Sequence, residues 1–227
     1  MLSIVIPVLD EAAGIDAALA PLQALRERGV EVVVVDGGSA DDTVARATPL
    51  ADRVLAASRG RASQMNAGAA AARGDALLFL HADTRLPEGA DALVARALAG
   101  RAWGRFDVRI DGASALLPLV AMMMNLRSRL SGIATGDQAM FMRRDAFEAA
   151  SRFPAIPLME DIELSARLKL VSRPACLREA VTTSGRRWDR DGALRTILLM
   201  WSLRLRYFFG ASPEALARAY RTERSAR

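Results

Sequence analysis

The sequence predicts an α/β fold in which a mostly parallel sheet carries a ligand crevice at one edge. Three short apolar runs in the first third of the chain indicate parallel strands buried on both faces, and they cover residues 3–9, 30–35 and 76–80. Each run delivers acidic residues at or just past its end, which are Asp10 and Glu11, then Asp36, then Asp83. In an open α/β sheet, ligands bind outside the carboxyl ends of the strands, so these side chains predict one acidic crevice.

The first hundred residues alternate between strand and helix, as in a Rossmann-like half. Apolar residues at helical spacing define the helices, and Gly74 stands where a glycine would end the alanine-rich one. After the first strand, the predicted order is a helix over 14–28, the second strand, a short helix beginning at 41, a weak strand over 53–56, a helix over 62–73, the strand at 76–80 and a helix over 87–98.

Beyond residue 100 the pattern becomes less regular. Alternating polar and apolar side chains predict a half-exposed strand over 103–110. A long apolar helix, a further strand, a short helix and an amphipathic helix are predicted over 114–130, 139–142, 145–150 and 160–170. No internal repeat or linker interrupts the chain, so a single domain is predicted over residues 1–227.

Composition narrows the class of protein. The single cysteine, Cys176, excludes an internal disulfide and is typical of a reducing compartment. No signal-peptide pattern precedes the first strand, and the apolar stretches 116–124 and 197–209 are too short or too interrupted to span a membrane. A cytoplasmic protein is therefore expected.

The excess positive charge is concentrated near the end of the chain. Residues 178–227 carry 11 basic and 5 acidic side chains, a balance of +6, whereas residues 1–177 carry 20 and 21, a balance of −1. The arginines are scattered among aliphatic residues without a recognition motif, so no nucleic-acid partner is predicted. The segment 194–209 is predicted either to pack on the core or on a second subunit of a homodimer, or to lie peripherally on an anionic membrane surface.

Four motifs in a fixed order carry a resemblance to a known family. They are IPVLDE at 6–11, VDGGSADDT at 35–43, HAD at 81–83 and MEDIEL at 159–164. Together they resemble the family-2 glycosyltransferases, nucleotide-sugar-dependent enzymes with the GT-A fold, over residues 2–173. The resemblance implies a nucleotide-binding half over 1–100, an acceptor and catalytic half over 101–190 and a basic helical tail over 191–227. The segments GDQ at 136–138 and RRW at 186–188 resemble a small bacterial subgroup, some of whose members are linked to arsenosugar biosynthesis.

The resemblance implies a nucleotide site formed by the first strands and the alanine-rich helix. The matching Asp36 would contact the base or the ribose, with a helix N-cap as its structural alternative. Pro7 and Glu11 lie in the loop that contacts the nucleoside in the family, and a purely structural role is the alternative. Arg59 and Arg61 open a helix, whose N-terminal N–H groups attract anions, and Arg59 is preferred as the residue facing the diphosphate.

The HAD segment occupies the place of the Asp-x-Asp element that orients a divalent cation on the donor diphosphate. Mg²⁺ and Mn²⁺ prefer oxygen ligands and use one or two carboxylates, so Asp83 is the expected ligand. His81 departs from the family pattern. Either it binds the cation, which would favour Mn²⁺ over Mg²⁺, or it only donates a hydrogen bond to the ribose.

Glu160 and Asp161 begin a predicted helix, where acidic residues also stabilise the helix dipole. The resemblance implies that Asp161 is the general base that accepts the proton of the acceptor hydroxyl, with Glu160 assisting or contacting the acceptor. A single displacement with one base inverts the anomeric configuration. Asp137 and Gln138 line an acceptor pocket or form a turn, while Arg187 and Trp188, after Arg186, close over the diphosphate or stack on a sugar.

The sequence therefore predicts a nucleotide-sugar donor and an unidentified acceptor, either lipid-linked or a small molecule. Two other functions compete with this one. A sugar nucleotidyltransferase would need a glycine-rich phosphate loop after the first strand, where Pro7 to Glu11 offers none. A non-catalytic, membrane-associated protein that binds sugar nucleotides would tolerate the change at His81, but the intact pair at 160–161 argues against it.

Overall fold

A computed structural model describes the backbone of residues 1–225 and the side chains of residues 1–220. Its centre is an eight-stranded sheet in the order β3-β2-β1-β4-β7-β6-β8-β5. The strands are β1 Leu2–Val8, β2 Glu31–Asp36, β3 Arg53–Ala56, β4 Ala76–Phe79, β5 Thr84–Arg85, β6 Trp103–Asp111, β7 Phe141–Arg143 and β8 Ala175–Ser184.

Helices flank the sheet and connect its strands. They are α1 Ile15–Leu19, α2 Gln23–Glu27, α3 Thr43–Ala47, α4 Arg61–Ala71, α5 Ala90–Gly100, α6 Leu117–Ser131, α7 Arg144–Ala149, α8 Glu160–Val171, α9 Arg186–Asp191, α10 Ala193–Phe208 and α11 Pro213–Ser225. Three short 3₁₀ segments cover Ala20–Leu22, Thr48–Leu50 and Gly136–Gln138.

The parallel half of the sheet forms as the apolar runs predict. Strand β1 pairs in parallel with β2 and β4, and β2 pairs in parallel with β3. Side chains alternate between two apolar clusters, one on each face of the sheet, so that Val32 and Val34 join one cluster while Val33 and Val35 join the other. Because both faces of the sheet are covered, these strands are apolar at nearly every position and do not alternate between polar and apolar residues.

The second half of the sheet is mixed in direction. Strand β7 pairs antiparallel with both β4 and β6, whereas β8 pairs parallel with β6 and antiparallel with β5. The prediction of a half-exposed β6 holds only for its C-terminal part. Its first four residues are buried, because Trp103 and Phe106 pack into the two apolar clusters.

Two local predictions are wrong for identifiable reasons. The helix predicted over 14–28 is divided into α1 and α2 by a 3₁₀ segment that contains Pro21, whose ring prevents a regular helical hydrogen bond. Gly74 does not end α4, which stops at Ala71. A Cβ atom at Gly74 would lie 2.6 Å from Ser3 Oγ, so this glycine is required for close packing against β1.

The C-terminal helices pack on the domain through one face only. Leu203 of α10 and Leu216 of α11 form a small buried cluster with Met159. The opposite face of α10 exposes a row of large apolar side chains, namely Leu194, Leu198, Trp201, Leu205 and Phe208. None of the helices in the described residues combines the length and apolar composition needed to cross a bilayer.

Candidate functional site

A cleft of about 1940 Å³ opens beside the carboxyl ends of β1 and β4. It gathers predicted site residues from distant parts of the chain. Those that line it are Pro7, Glu11, Arg59, Arg61, His81, Asp83, Asp137, Glu160, Arg186, Arg187 and Trp188. Asp36, Gln138 and Asp161 are not among the residues that line it.

Two carboxylates meet at the strand-end side of the cleft. Glu11 follows β1, and Asp83 follows β4, so the parallel pairing of these strands brings both side chains to one edge. Burial and the charges of Asp83 and Asp41 raise the pKa of the Glu11 carboxyl, although Arg186 acts in the opposite direction. Like charges that act on each other in this way favour a bound cation.

The residues at this edge fit a divalent cation held largely by a substrate. Asp83 is exposed to the cleft, and within the described residues its carboxylate accepts a single, long hydrogen bond of 3.3 Å from Thr84 Oγ1. Within the part of the chain that the structure describes, no three His, Cys, Asp or Glu side chains form a metal-binding group. Mg²⁺ commonly uses one or two carboxylates together with substrate phosphates and water, and Asp83 supplies such a ligand.

His81 lies between two groups of the Gly136–Gln138 turn. Its Nδ1 atom is 3.3 Å from Oδ1 of Asp137. A Cβ atom added to Gly136 would lie 2.5 Å from Nε2, so the other nitrogen rests against that glycine. A cation bound by His81 would have to replace one of these two contacts.

Glu160 and Asp161 form the first turn of α8, which follows Met159 in the left-handed conformation with φ of 72°. Both oxygens of Asp161 are fixed by backbone donors: Gly136 N donates to Oδ2 and Ile162 N donates to Oδ1, each at 2.8 Å. Glu160 is only 6% exposed. Burial and the adjacent Asp161 charge raise the pKa of Glu160, despite the opposing effects of Arg61 and His81.

Asp161 faces a second, much smaller space beneath the cleft. This space is lined by Arg61, His81, Gly136, Glu160 and Asp161 together with apolar side chains. Because Glu160 lines both spaces, the pair connects the cleft to the interior. The two carboxylates therefore differ in environment although they are adjacent in sequence.

Arg61 and Asp137 complete a charged network around this pair. Burial opposes ionisation of Asp137, but the hydrogen bond from His81 and the charges of His81, Arg61 and Arg187 hold its pKa at about 2. Since 49% of the Asp137 side chain is exposed, its burial is only partial and opposes ionisation less than full burial would. Although burial works against it, the charges of Glu160 and Asp137 raise the pKa of Arg61.

Asp36 and Gln138 are held away from the cleft. The Asp36 carboxylate accepts hydrogen bonds from Gly38 N and from both N and Oγ of Ser39, so it shapes the loop after β2. Gln138 is fully buried; its Oε1 accepts from Thr135 N and its Nε2 donates to Asn125. Of the two alternatives predicted for Gln138, an acceptor pocket or a turn, the structure places this residue in the turn Gly136–Gln138.

The arginine and tryptophan residues at 186–188 lie in α9, directly after β8. Arg186 donates to Ser184 Oγ at 3.2 Å, and the Arg187 guanidinium lies 4.8 Å from the ring centre of Tyr220. Trp188 is half-buried and packs against the main apolar cluster. All three line the cleft, so they face the same space as Glu11 and Asp83.

Three further residues of the cleft did not stand out in the sequence. Gln64 Nε2 donates to the carbonyls of Val8 and Val35, each at 2.8 Å, and so joins the ends of β1 and β2. Arg127 of α6 and Arg204 of α10 also line the cleft. Their only sequence signal is an arginine within an otherwise apolar helix.

Several solved structures share this fold at low sequence identity. The chain matches a mannosyltransferase from Pyrobaculum calidifontis in complex with GDP-Man and Mn²⁺, with a TM-score of 0.62, 20% identity, and coverage of 80% of this chain and 56% of that one. It matches residues 1–349 of S. aureus TarS in complex with UDP-GlcNAc, with a TM-score of 0.63, 17% identity, and coverage of 81% and 58%.

A third solved structure is glucosyl-3-phosphoglycerate synthase from Mycobacterium tuberculosis in complex with Mn²⁺, UDP and glucosyl-3-phosphoglycerate. Its TM-score is 0.55, its identity 23%, and coverage is 79% of this chain and 70% of that one. The predicted GT-A fold is thus confirmed. The chain spans less than two thirds of the mannosyltransferase and of the TarS fragment.

Sequence comparison gives the family. No curated protein matches the chain. The family model described as glycosyl transferase family 2 matches residues 3–149, which is well over half of the 227 residues and includes β1, β2, β4 and the HAD segment. The chain belongs to glycosyl transferase family 2.

Proposed function

We propose that this protein transfers a sugar from a nucleotide-sugar donor to an acceptor hydroxyl, with inversion at the anomeric carbon. The observation that carries the proposal is that the strand-end carboxylates Glu11 and Asp83 line one cleft together with Glu160, whose neighbour Asp161 lines a small adjoining space. The solved structures with GDP-Man or UDP-GlcNAc support a donor of this class.

The donor lies along the strand-end side of the cleft in this proposal. Asp83 would hold a divalent cation, Mn²⁺ or Mg²⁺, and such a cation would supply positive charge to the diphosphate of the donor. Pro7 and Glu11 border the nucleoside, and Asp36 shapes the loop beside it. Arg59, near the N-terminus of α4, contributes positive charge to the diphosphate.

The sugar is transferred in one displacement on the opposite side of the anomeric carbon. The acceptor oxygen forms a bond to that carbon while the bond from the carbon to the diphosphate oxygen breaks. Asp161 accepts the hydroxyl proton, and the nucleoside diphosphate leaves with the bonding electron pair. The backbone N–H groups of Gly136 and Ile162 orient the Asp161 carboxylate, while Glu160, which lines the cleft, contacts the acceptor.

The remaining predicted residues support this arrangement. His81 positions Asp137, and Gln138 holds the turn that carries Gly136 against Asp161. Arg187 and Trp188 border the departing diphosphate and the sugar. Arg61 holds positive charge beside Glu160 and Asp137, and so favours the ionised forms of both carboxyl groups against the effect of burial.

Turnover of UDP-, GDP- and dTDP-sugars with Mn²⁺ tests the assignment of the base. Asp161→Asn should lower turnover by about 10²–10⁴-fold with little change in donor binding, because an amide accepts no proton. Glu163→Gln, one turn later on α8, is the matched control and should stay active. Full activity of Asp161→Asn would exclude it as the base, and loss confined to Glu160→Gln would transfer the role to Glu160. NMR of the product anomer tests inversion.

A second proposal concerns the surface beside the cleft, which we infer contacts an anionic membrane. Helix α6 exposes Leu119, Met122, Met123, Leu126 and Leu130, and α10 exposes the row that runs from Leu194 to Phe208. Neither helix contains an acidic residue, while α10 contains three arginines. Apolar faces with basic neighbours bind anionic lipid surfaces rather than another basic copy of the same face.

Vesicle sedimentation with the whole chain tests this contact. Binding should require anionic lipid and should be weakened by Leu198→Glu, whereas Leu170→Glu, at an even more exposed leucine on α8, should have no such effect. Equal binding by both variants would contradict the proposal. A dimer in solution that Leu198→Glu dissociates would identify a second copy as the occupant and would also overturn it.

A further inference from the structure

We propose that Arg127 and Arg204 form a binding site for a phosphate-class anion, and that this anion is carried by the acceptor. The second half of the statement rests on the proposed glycosyl transfer, whereas the first half does not. Arg127 belongs to α6 and Arg204 to α10, and both line the cleft. The two helices therefore place a pair of guanidinium groups on one wall of the same space.

Part of the hydrogen-bonding capacity of these groups is left unused within the described residues. The Nε and Nη2 atoms of Arg127 and the Nε atom of Arg204 are buried and have no hydrogen-bond partner within the described residues. Buried N–H groups are nearly always paired in folded proteins, so a set of unpaired donors beside a cleft indicates a missing acceptor. An anion entering the cleft would supply it.

The charge around the pair also lacks compensation. Arg127 and Arg204 repel each other, and this repulsion together with burial lowers the pKa of Arg127 to about 10. Arg105 lies near them, but its own guanidinium is paired with Asp107. Asp161 is the carboxylate that acts favourably on Arg127, and it is already held by two backbone donors.

The geometry favours a phosphate over a single carboxylate. A guanidinium group offers parallel N–H donors that match two oxygens of a phosphate, and two such groups can bind different oxygens of one tetrahedral anion. A lone carboxylate would satisfy only one of the two arginines. A phosphate monoester or diphosphate is therefore the ligand class that this pair fits.

The position of the pair relates it to the acceptor rather than to the donor. Asp161 acts electrostatically on both Arg127 and Arg61, so the site lies on the side of the proposed base. The donor end is marked instead by Asp83 and by Glu11, on which Arg186 acts. An acceptor whose phosphate rests on Arg127 and Arg204 would have its hydroxyl held near Asp161.

Calorimetric titration of the whole chain with inorganic phosphate and with methyl phosphate tests the site. Arg127→Met and Arg204→Met should each weaken binding by about tenfold or more, because a charge-assisted bidentate contact is lost. Arg96→Met, at an exposed arginine on α5 that does not line the cleft, is the matched control and should bind as the unaltered protein does. If either methionine variant does not fold, Arg127→Lys and Arg204→Lys keep the charge, lose the planar fork, and should still weaken binding.

A second arm separates the two sources of such a phosphate. Vesicles of phosphatidylcholine with phosphatidic acid present it on a lipid, and loss of vesicle binding in Arg127→Met and Arg204→Met alone would identify a lipid headgroup. Binding of methyl phosphate that depends on both arginines would identify a phosphorylated small molecule. Phosphate and vesicle affinities that are unchanged in both variants, or equally reduced in Arg96→Met, would overturn the proposal. The same variants are also titrated with nucleotide-sugar donors in the presence of Mn²⁺. If the donor still binds while the phosphate results contradict the site, the failure concerns the phosphate site and not the proposed glycosyl transfer.

Discussion

The His81 Nδ1 atom lies 3.3 Å from Oδ1 of Asp137, and its Nε2 atom rests against Gly136. The same Gly136 donates its backbone N–H to Asp161. One short turn therefore connects the HAD segment after β4 with the carboxylate at the start of α8. His81 thus gives the strand end a partner for Asp137, and Asp83 is the carboxylate of this segment that we propose binds the cation.

A methyl group at Gly136 should break this connection. In Gly136→Ala, the new Cβ would lie 2.5 Å from His81 Nε2, so the imidazole and the turn must move apart. Because a misplacement of about 1 Å can cost about 100-fold in rate, donor turnover should fall steeply while the protein stays folded. Gly100→Ala, at a glycine with open space around it, is the control. Equal activity of the two variants would contradict the connection.

The raised pKa of Glu160 makes a prediction about stability and pH. Above the ordinary carboxyl pKa of 4.5, the unfolded chain releases a proton that the folded protein still holds, so the contribution of this group to stability falls as pH rises towards its folded pKa. The free energy of unfolding of Glu160→Gln, minus that of the unaltered protein, should therefore increase between about pH 4 and about pH 7.

Urea unfolding at both pH values measures this difference, with Glu163→Gln as the control on the same helix. A gain that grows with pH in Glu160→Gln alone would agree with the burial of a charged carboxylate beside Asp161. A difference that is constant with pH, or that shrinks as pH rises, would show that Glu160 is not held in this way.

Gly68 should be essential for the packing of α4 on the sheet. A Cβ atom there would lie 2.3 Å from Val5 Cγ1 and 2.8 Å from Val35 Cγ2. Gly68→Ala should therefore destabilise the protein by about 1–3 kcal/mol in denaturant unfolding, as overpacked cores do. Gly100→Ala should change the free energy of unfolding far less, and similar losses in the two variants would contradict this packing.

Much of the fold is predictable because its first half obeys local rules. Strands β1, β2 and β4 are continuous apolar segments, and the acidic residues that end them lie at one edge as parallel pairing requires. Strand β8 was not predicted, because Arg178 and Glu179 interrupt its apolar pattern while it pairs with β6 in the centre of the second half. Strand β8 forms because it pairs with β6, which is distant in sequence, and the pattern of polar and apolar residues along the chain does not reveal such pairing.

Some residues of the candidate site can likewise be located from local sequence patterns, whereas others cannot. Glu11 and Asp83 can be located from the ends of strands, and Glu160 and Asp161 from the start of a helix. The burial of Gln138 and the pairing of His81 with Asp137 depend on how the turn at 136–138 packs against β4, which the sequence does not reveal. Arg127 and Arg204 become neighbours only when α6 and α10 meet at the cleft.

The most direct measurement is a thermal-shift titration of UDP-, GDP- and dTDP-sugars with and without Mn²⁺. A donor present at about 100 times its dissociation constant should stabilise the protein by about 2.7 kcal/mol. One nucleotide class should raise the melting temperature only with Mn²⁺, and Asp83→Asn should abolish the shift. Asp75→Asn should retain it, because this exposed carboxylate lies just before β4, at the end of the strand opposite Asp83. No shift with any donor in the presence of Mn²⁺, or an undiminished shift in Asp83→Asn, would contradict a cation-assisted nucleotide-sugar site in this cleft.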